Sequence, residues 1–494
     1  MSTPPMKLLL ELRPALDGHA GIPQETRLLF RGLSQLPGVD VEGLLQSSSR
    51  VLAKGLPPLR HSLSRDRQIN RLSRVVVSLQ STGDGGRLDR IRAALRFSLA
   101  PPRTIASMLL GRRQKLGVFD AEHFKDFVWR SLFARTLPNA DFDLVTRARY
   151  RVARMPWTAL HAAGLVTRRL GHAMYPRLDT QGFDVMVAET PYPGRVAPST
   201  RLVVRYHDAI PLLMPHTISD KAYHQAAHYQ ALRRNVRDGA WFACVSESTR
   251  RDLLSVFPEA EPRAVTIHNM VSHHYYAEDS TALRVTDILR IRRHQEFEAS
   301  SAPVISRGAD GVPYLLMVST IEPRKNHLML LAAWEQLRAE GWNDLQLVFV
   351  GMLGWDHKSI VRKFRPWLAR GGLHILEDVP SDELRLLYRH AKATICPSFG
   401  EGFDYSGIEA MRCGGVVAAS DIAVHRDVFG EAAQYFSPYA VPEIVTAIRG
   451  IVGPQAQARR DELRRLGDEV SSRYVPERVL PQWQDFLQQI SRTP

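Results

Sequence analysis

Two glutamates, Glu401 and Glu409, stand eight positions apart around a small-residue turn in GEGFDYSGIEAM, residues 400–411. The stretch follows the apolar run ATICPS, where a parallel α/β unit passes from strand to helix and offers unpaired N–H groups to a ligand. Gly400, Gly402 and Gly407 let the backbone approach closely, and the N–H groups of Tyr405, Ser406 and Gly407 are placed to face an anion such as a diphosphate. Glu401 precedes the helix among glycines, a position suited to a ligand mouth. Glu409 has two readings. In one it lies in the first helical turn and serves the ligand; in the other, Ser406-x-x-Glu409 is a capping box in which Glu409 returns to the Ser406 N–H.

A second cluster is STIEPRKNHLMLL. Arg324 and Lys325 fall between a strand end and a helix start, where the helix dipole disfavours cations, so two together imply an anion there. Arginine meets a diphosphate with a fork of donors and lysine as a point charge. A third cluster is VVRYHDAIPLLMP, in which His207 and Asp208 follow an apolar strand. His207 suits hydrogen bonding to a hydroxyl or general acid–base work, and Asp208 suits capping of the next turn.

The elements that must carry these residues are short apolar strands alternating with helical patterns. MKLLLEL, a glycine-bearing loop with Gly18 and Gly21, and ETRLLFRGLSQL read as strand, loop and helix. FDVMVAE, RLVVRY, WFACVS and AVTIHNM continue the series; YLLMVST, LQLVFVG, LHILE, ATICPS, GVVAAS and AQYFSP form a second one. This alternation predicts an α/β chain with two doubly wound parallel sheets facing across a cleft. A chain of 494 residues supports two large domains. The boundaries are drawn at 1–300, a linker at 301–312 within the Ser/Ala/Gly/Pro-rich stretch 296–313, 313–476, and a C-terminal helix at 477–494 returning to the first domain.

Net charge is +14, and residues 45–180 hold 25 Lys or Arg against 9 Asp or Glu, leaving the remainder close to neutral. That stretch is predicted to be a basic, mainly helical insertion whose surface suits an anionic partner such as lipid headgroups. Nucleic acid is excluded as a partner because no reading motif or aromatic interleaving accompanies the charge. Three cysteines without paired spacing argue against disulfides and structural zinc. The opening residues lack a signal-peptide pattern and no apolar run is long enough to span a bilayer, which predicts a cytoplasmic protein, peripheral at most on the inner membrane.

Together these clusters resemble the retaining glycosyltransferase family 4, with its GT-B fold of two Rossmann-like domains. EGFDYSGIEAMRCGGVVAASDIAVHRDVFGEAAQYF is similar to the family's E-x7-E region and VSTIEPRKN to its G-T-x-E-P-R-K-N loop. YHDAIPLLMP, CVSESTRRDL and TIHNMV fall in order at its H-D, V-S-x-x-S and N-G-V positions.

The resemblance implies transfer of a hexosyl group from a nucleotide-diphosphate sugar, GDP-mannose-like or a UDP-sugar, with retained configuration and no cofactor or metal. The acceptor would be a glycan or polyprenyl-diphosphate-linked glycan in surface polysaccharide or O-antigen assembly. Arg324, Lys325, Tyr405, Ser406, Gly407 and the loop at Gly21 would then bind the diphosphate. Glu409 would bind the donor ribose, with Asp404 and Phe403 beside it in the sugar pocket, Glu401 would contact the transferred sugar, and His207 would support it from the acceptor side. The chain departs from the family's E-G-F-G-L-P-P at Asp404, Tyr405, Ser406 and Gly407, and has Met270 for the glycine of N-G-V. A nucleotide-sugar epimerase or hydrolase and a non-catalytic partner subunit are the competing functions on the same fold.

Overall fold

The computed structural model describes residues 4–492 except 17, 19–20, 58–62, 81–97, 170 and 294–310. The first sheet is built from β1 (Met6–Glu11), β2 (Val39–Leu45), β3 (Gly117–Asp120), β4 (Arg149–Val152), β5 (Val185–Ala188), β6 (Arg201–Tyr206), β7 (Trp241–Cys244) and β8 (Ala264–Thr266), in the order β3-β4-β2-β1-β5-β6-β7-β8. Every pairing is parallel except β3 with β4. Consecutive Leu8, Leu9 and Leu10 are all buried because helices cover both faces of this sheet.

The second sheet contains β9 (Tyr314–Val318), β10 (Gln346–Val350), β11 (Leu373–Leu376), β12 (Ala393–Cys396), β13 (Val417–Ser420) and β14 (Ala433–Phe436), ordered β11-β10-β9-β12-β13-β14 and wholly parallel. Its order reverses between β9 and β12, as that of the first sheet does between β1 and β5. Ligands of doubly wound sheets bind at the carboxyl ends of the strands at such a reversal.

The helices that matter to the site and its surroundings are α1 (Ile22–Leu33), α2 (Arg65–Gln80), α3 (Ala100–Leu109), α4 (Trp157–Arg168), α5 (Lys221–Arg237), α6 (Glu247–Val256), α7 (His327–Ala339), α8 (Tyr405–Arg412), α9 (Ala423–Phe429) and α10 (Pro476–Arg492). Val479, Trp483, Phe486, Leu487 and Ile490 of α10 share one apolar cluster with Leu8 and Leu10 of β1 and Phe30 of α1, so the end of the chain packs on the first sheet. The linker expected at 301–312 lies, up to residue 310, outside the described residues.

Among its described residues the stretch 45–180 is mainly helical, as expected, but it also contributes strands. β3 and β4 lie within it and extend the first sheet. In RYRV, Tyr150 and Val152 point into the core while Arg149 and Arg151 alternate outward, a period of two that the density of arginine conceals. Arg151 pairs with Glu42 of β2 at 2.6 Å, and Arg149 pairs with Asp40 and with Glu42. Part of the basic excess is therefore neutralised inside the fold.

Candidate active site

The loops leaving β9 and β12 meet at the reversal of the second sheet. Pro323–Lys325 forms a 3-10 turn, and Asn326 follows in a left-handed conformation (φ 64°) that asparagine tolerates better than most residues. Its side-chain amide donates to the carbonyls of Pro397 and Pro438, each at 2.9 Å, which holds the β12 loop against the start of α7. Arg324 and Lys325 consequently converge on Glu401: Lys325 Nζ lies 2.6 Å from Glu401 Oε1 and Arg324 Nη1 lies 2.8 Å from Oε2. Arg324 also donates to the Gly400 carbonyl at 2.6 Å and to Glu322 at 2.9 Å. Burial alone would raise the Glu401 pKa, but the charges of Arg324 and Lys325 outweigh it and hold the carboxyl below its ordinary range. The anion that two cations ahead of a helix require is thus supplied by Glu401.

The turn between Glu401 and Glu409 is organised by Asp404 rather than by Ser406. Asp404 is the N-cap of α8, with φ 64°, and its Oδ1 accepts from the Ser406 N–H at 3.1 Å and from the Ser406 hydroxyl at 2.6 Å. Its other oxygen lies 3.1 Å from Nε2 of His425 on α9. Burial works against ionisation of Asp404, yet the hydrogen bond and charge of His425 prevail and lower its pKa. Asp404 is therefore committed to the protein, and of the three N–H groups expected to face an anion, that of Ser406 is already bonded to the cap.

The capping-box reading of Glu409 is overturned. Glu409 is 4% exposed and its carboxylate accepts from Gln24 Nε2 at 2.9 Å and from the Tyr388 hydroxyl at 3.0 Å, and with Asp404 as the N-cap it stands two residues beyond the position from which a capping box closes. Phe403 does not line an open pocket: it is buried, with its ring packed on Tyr405, Tyr474 and His268. At Gly407 the close neighbour is protein, since a Cβ there would come within 2.3 Å of the Phe429 ring.

The first sheet faces this cluster from the other side of the cleft. A Cβ on Gly402 would stand 1.8 Å from the His207 carbonyl oxygen, and Thr249 of α6 donates to the Gly402 carbonyl at 3.2 Å. The Glu401 and His207 motifs therefore touch through their backbones, and only glycine fits between them. His207 Nε2 lies 3.2 Å from Glu189 Oε2 at the end of β5. Burial, reinforced by Arg205, lowers the His207 pKa to about 4, so the ring is neutral at physiological pH. Burial, reinforced by nearby Glu25, pushes the Glu189 pKa well above the ordinary carboxylate range.

Gly21 precedes α1 with φ 71°, a conformation that suits glycine, and nothing lies within 4 Å of where its Cβ would be. In the first turn of α1, Gln24 reaches Glu409, and Glu25 accepts from the Tyr405 hydroxyl at 2.8 Å. Glu25 also pairs with Arg205 at 2.8 Å, both side chains fully buried, while Arg205 donates to Asn269 of the N-x-V stretch at 2.8 Å. Gln24, Glu25, Glu189, Arg205 and Asn326 escaped the sequence reading. The available signal was polarity at otherwise apolar positions: a carboxylate closing the FDVMVAE strand, an arginine inside RLVVRY, and two polar residues opening α1.

Burial raises the Glu409 pKa to about 7 from an ordinary 4.5. Between those values the folded state keeps a proton that the unfolded state has released, so this group's contribution to stability falls as pH rises through the window. Glu409→Gln removes the titration. The variant is expected to melt with the wild type at pH 5 and above it at pH 8, by on the order of 3 kcal/mol at most. Identical melting differences at the two pH values would show that Glu409 ionises as an ordinary surface carboxylate.

Comparison with known proteins agrees with this geometry. Residues 303–461 match the family model described as glycosyl transferases group 1. The serotype-specific mannosyltransferase WbdA of Escherichia coli is 39% identical over 138 residues, which is 28% of this chain and 17% of that protein. The O-antigen chain mannosyltransferase B of Escherichia coli is 34% identical over 131 residues, 26% of this chain and 34% of that protein. This chain thus spans well under half the length of either relative. Among solved structures, sucrose-phosphate synthase from Thermosynechococcus elongatus aligns with a TM-score of 0.59 at 15% identity over 99% of this chain and all of its own. HepE of Anabaena in complex with UDP and glucose aligns at 0.56 and 12% identity over 98% of this chain and all of its own. These likenesses establish the GT-B fold for the whole chain, and residues 303–461 match the model of the glycosyl transferases group 1 family.

Proposed function

We propose that this chain is a hexosyltransferase. It moves a sugar from a nucleotide-diphosphate donor to a glycan or polyprenyl-diphosphate-linked glycan in surface polysaccharide assembly, at the cytoplasmic face of the inner membrane. The observation that carries this reading is the convergence of Arg324, Lys325 and Glu401 at the reversal of the second sheet, against His207 of the first. As the bond between the sugar C1 and the diphosphate oxygen breaks, negative charge gathers on the leaving group. Two cations and the N-terminal end of α8 stabilise that charge more than they stabilise the ground state, which is the requirement for catalysis. Arg324 and Lys325 exchange Glu401 for the diphosphate, which frees the Glu401 carboxylate to accept from hydroxyls of the transferred sugar. Neutral His207 hydrogen-bonds the sugar from the acceptor side. Glu409, in its ionised form, accepts from the ribose hydroxyls, so donor affinity is expected to fall as pH drops below about 7.

Retention of configuration and independence of metal ions are part of the proposal, supported by the likeness of EGFDYSGIEAM to the retaining family and by the cations already in place. The mannosyltransferase names of the Escherichia coli relatives favour a mannosyl group, and the UDP in the HepE structure makes UDP-sugars the next donors to test. Thermal-shift screening with GDP-mannose and with UDP-, dTDP- and ADP-sugars is expected to single out one donor, since saturation at 100-fold the dissociation constant adds about 2.7 kcal/mol of stability. Transfer from that donor should retain the anomeric configuration and persist in EDTA. Stabilisation by none of them would sink the reading, and rapid release of an epimerised nucleotide sugar without acceptor would replace it with an epimerase.

A further inference from the structure

Residues 90–119 contain no Asp or Glu, and the described part of this stretch ends α3 on the sequence MLLGRRQK. Leu109 and Leu110 are 73% and 66% exposed, and Leu99 at the opposite end of α3 is 45% exposed. Arg112, Arg113 and Lys115 follow at once and are exposed. The buried face of α3, Ala100 and Thr104, belongs to a helix that packs on α4, whose far end exposes Val166, Arg168 and Arg169. Among the described residues, Arg112, Arg113, Lys115, Arg168 and Arg169 form no ion pair, in contrast to Arg149 and Arg151 in the same basic stretch. Two adjacent leucines projecting into solvent beside unneutralised cations combine the terms that bind a bilayer interface: apolar side chains that enter it and charges that attract anionic headgroups.

We infer that the end of α3, with the far end of α4, is the surface by which this protein docks on an anionic lipid bilayer. The inference rests on the transferase reading for its purpose, and deepens it by assigning the membrane contact to particular residues. α4 begins at Trp157, whose ring lies 4.3 Å from the Arg13 guanidinium, close to Glu11 at the carboxyl end of β1. Val166 is nine residues along α4, about 14 Å from that point at 1.5 Å per residue. The inner face of α3 keeps its packing when the tip enters the interface, so docking needs no refolding.

The test is co-flotation of the full chain with vesicles of phosphatidylcholine alone and of phosphatidylcholine with phosphatidylglycerol, at low and high salt. Binding is expected only to the anionic vesicles and to weaken with salt. Each cation near the surface is worth about fivefold in partitioning, so Arg112→Glu with Arg113→Glu should lower it by roughly 25-fold or more. Leu109→Asp with Leu110→Asp should abolish it at either salt concentration, with melting temperature unchanged. Arg71→Glu with Arg74→Glu, on the exposed face of α2, serves as the charge control and should lose much less. The assignment is overturned if the wild type does not float, if the leucine or arginine variants float like the wild type, or if the α2 variant loses as much. It is also overturned if the leucine variant instead dissolves a dimer seen by sedimentation. Donor-induced thermal stabilisation should be the same in all these variants; its absence from the wild type would sink the transferase reading and leave the docking surface standing.

Discussion

Lys325→Ala is expected to lower kcat for glycosyl transfer by about 10²–10³-fold, the cost of removing one donor aimed at charge that develops in a transition state, about 2.7–4 kcal/mol. Lys325 Nζ lies 2.6 Å from Glu401, within a cluster where Arg324 stays paired after the substitution. Folding therefore survives, and the loss should appear mainly in kcat because leaving-group charge grows after the donor has bound. Glu401→Ala tests the same cluster with a different signature. It leaves Lys325 without its carboxylate and Arg324 with Glu322 alone, so it should cost stability as well as activity, though less than the about 3–5 kcal/mol of a buried ion left with no partner. Single-turnover transfer with saturating donor, measured beside urea denaturation, separates the two effects. Wild-type kcat in Lys325→Ala would remove the diphosphate role from this residue.

Glu25→Ala is expected to have the largest effect on stability, about 3–5 kcal/mol, because Arg205 would then be a fully buried cation without its carboxylate. The same change orphans the hydroxyl of Tyr405, which donates to Glu25 across the cleft. Glu25→Gln keeps an acceptor for both and should lose less. Pairing Glu25→Ala with Arg205→Met should recover much of the loss, since replacing both charges by apolar groups avoids the unpaired ion. Urea midpoints of the four proteins check this. A loss below about 1 kcal/mol in Glu25→Ala would mean that water reaches Arg205.

The strands were legible because both sheets are covered on both faces, which makes nearly every strand a continuous apolar run such as KLLLE or ATIC. Arg324, Lys325 and Glu401 were legible because a loop at a strand end has few packing reasons to hold charge. β4 was not, since the outward arginines of RYRV imitate a basic helix until their partners Asp40 and Glu42 on β2 are seen. The capping reading of Glu409 fails for a related reason: Ser406-Gly-Ile-Glu409 fits a capping box, yet Asp404 takes the cap by adopting a left-handed backbone and turning its carboxylate on the Ser406 N–H.

By itself, the sequence determined the alternation of strand and helix, the basic stretch, and the chemical types gathered at the strand ends, because each depends on burial periodicity or composition within a short window. Tertiary structure alone decided the partners. Gln24 and Glu409 are 385 residues apart, and Glu25 and Tyr405 are 380 apart. Such pairs leave no local signature, since which carboxylate is ionised, capped or held by a neighbour depends on the side chains that the opposite sheet brings to it. The same holds for the arginines of the basic stretch: composition counted them, and only packing separated those neutralised by β2 from those left exposed beside Leu109 and Leu110.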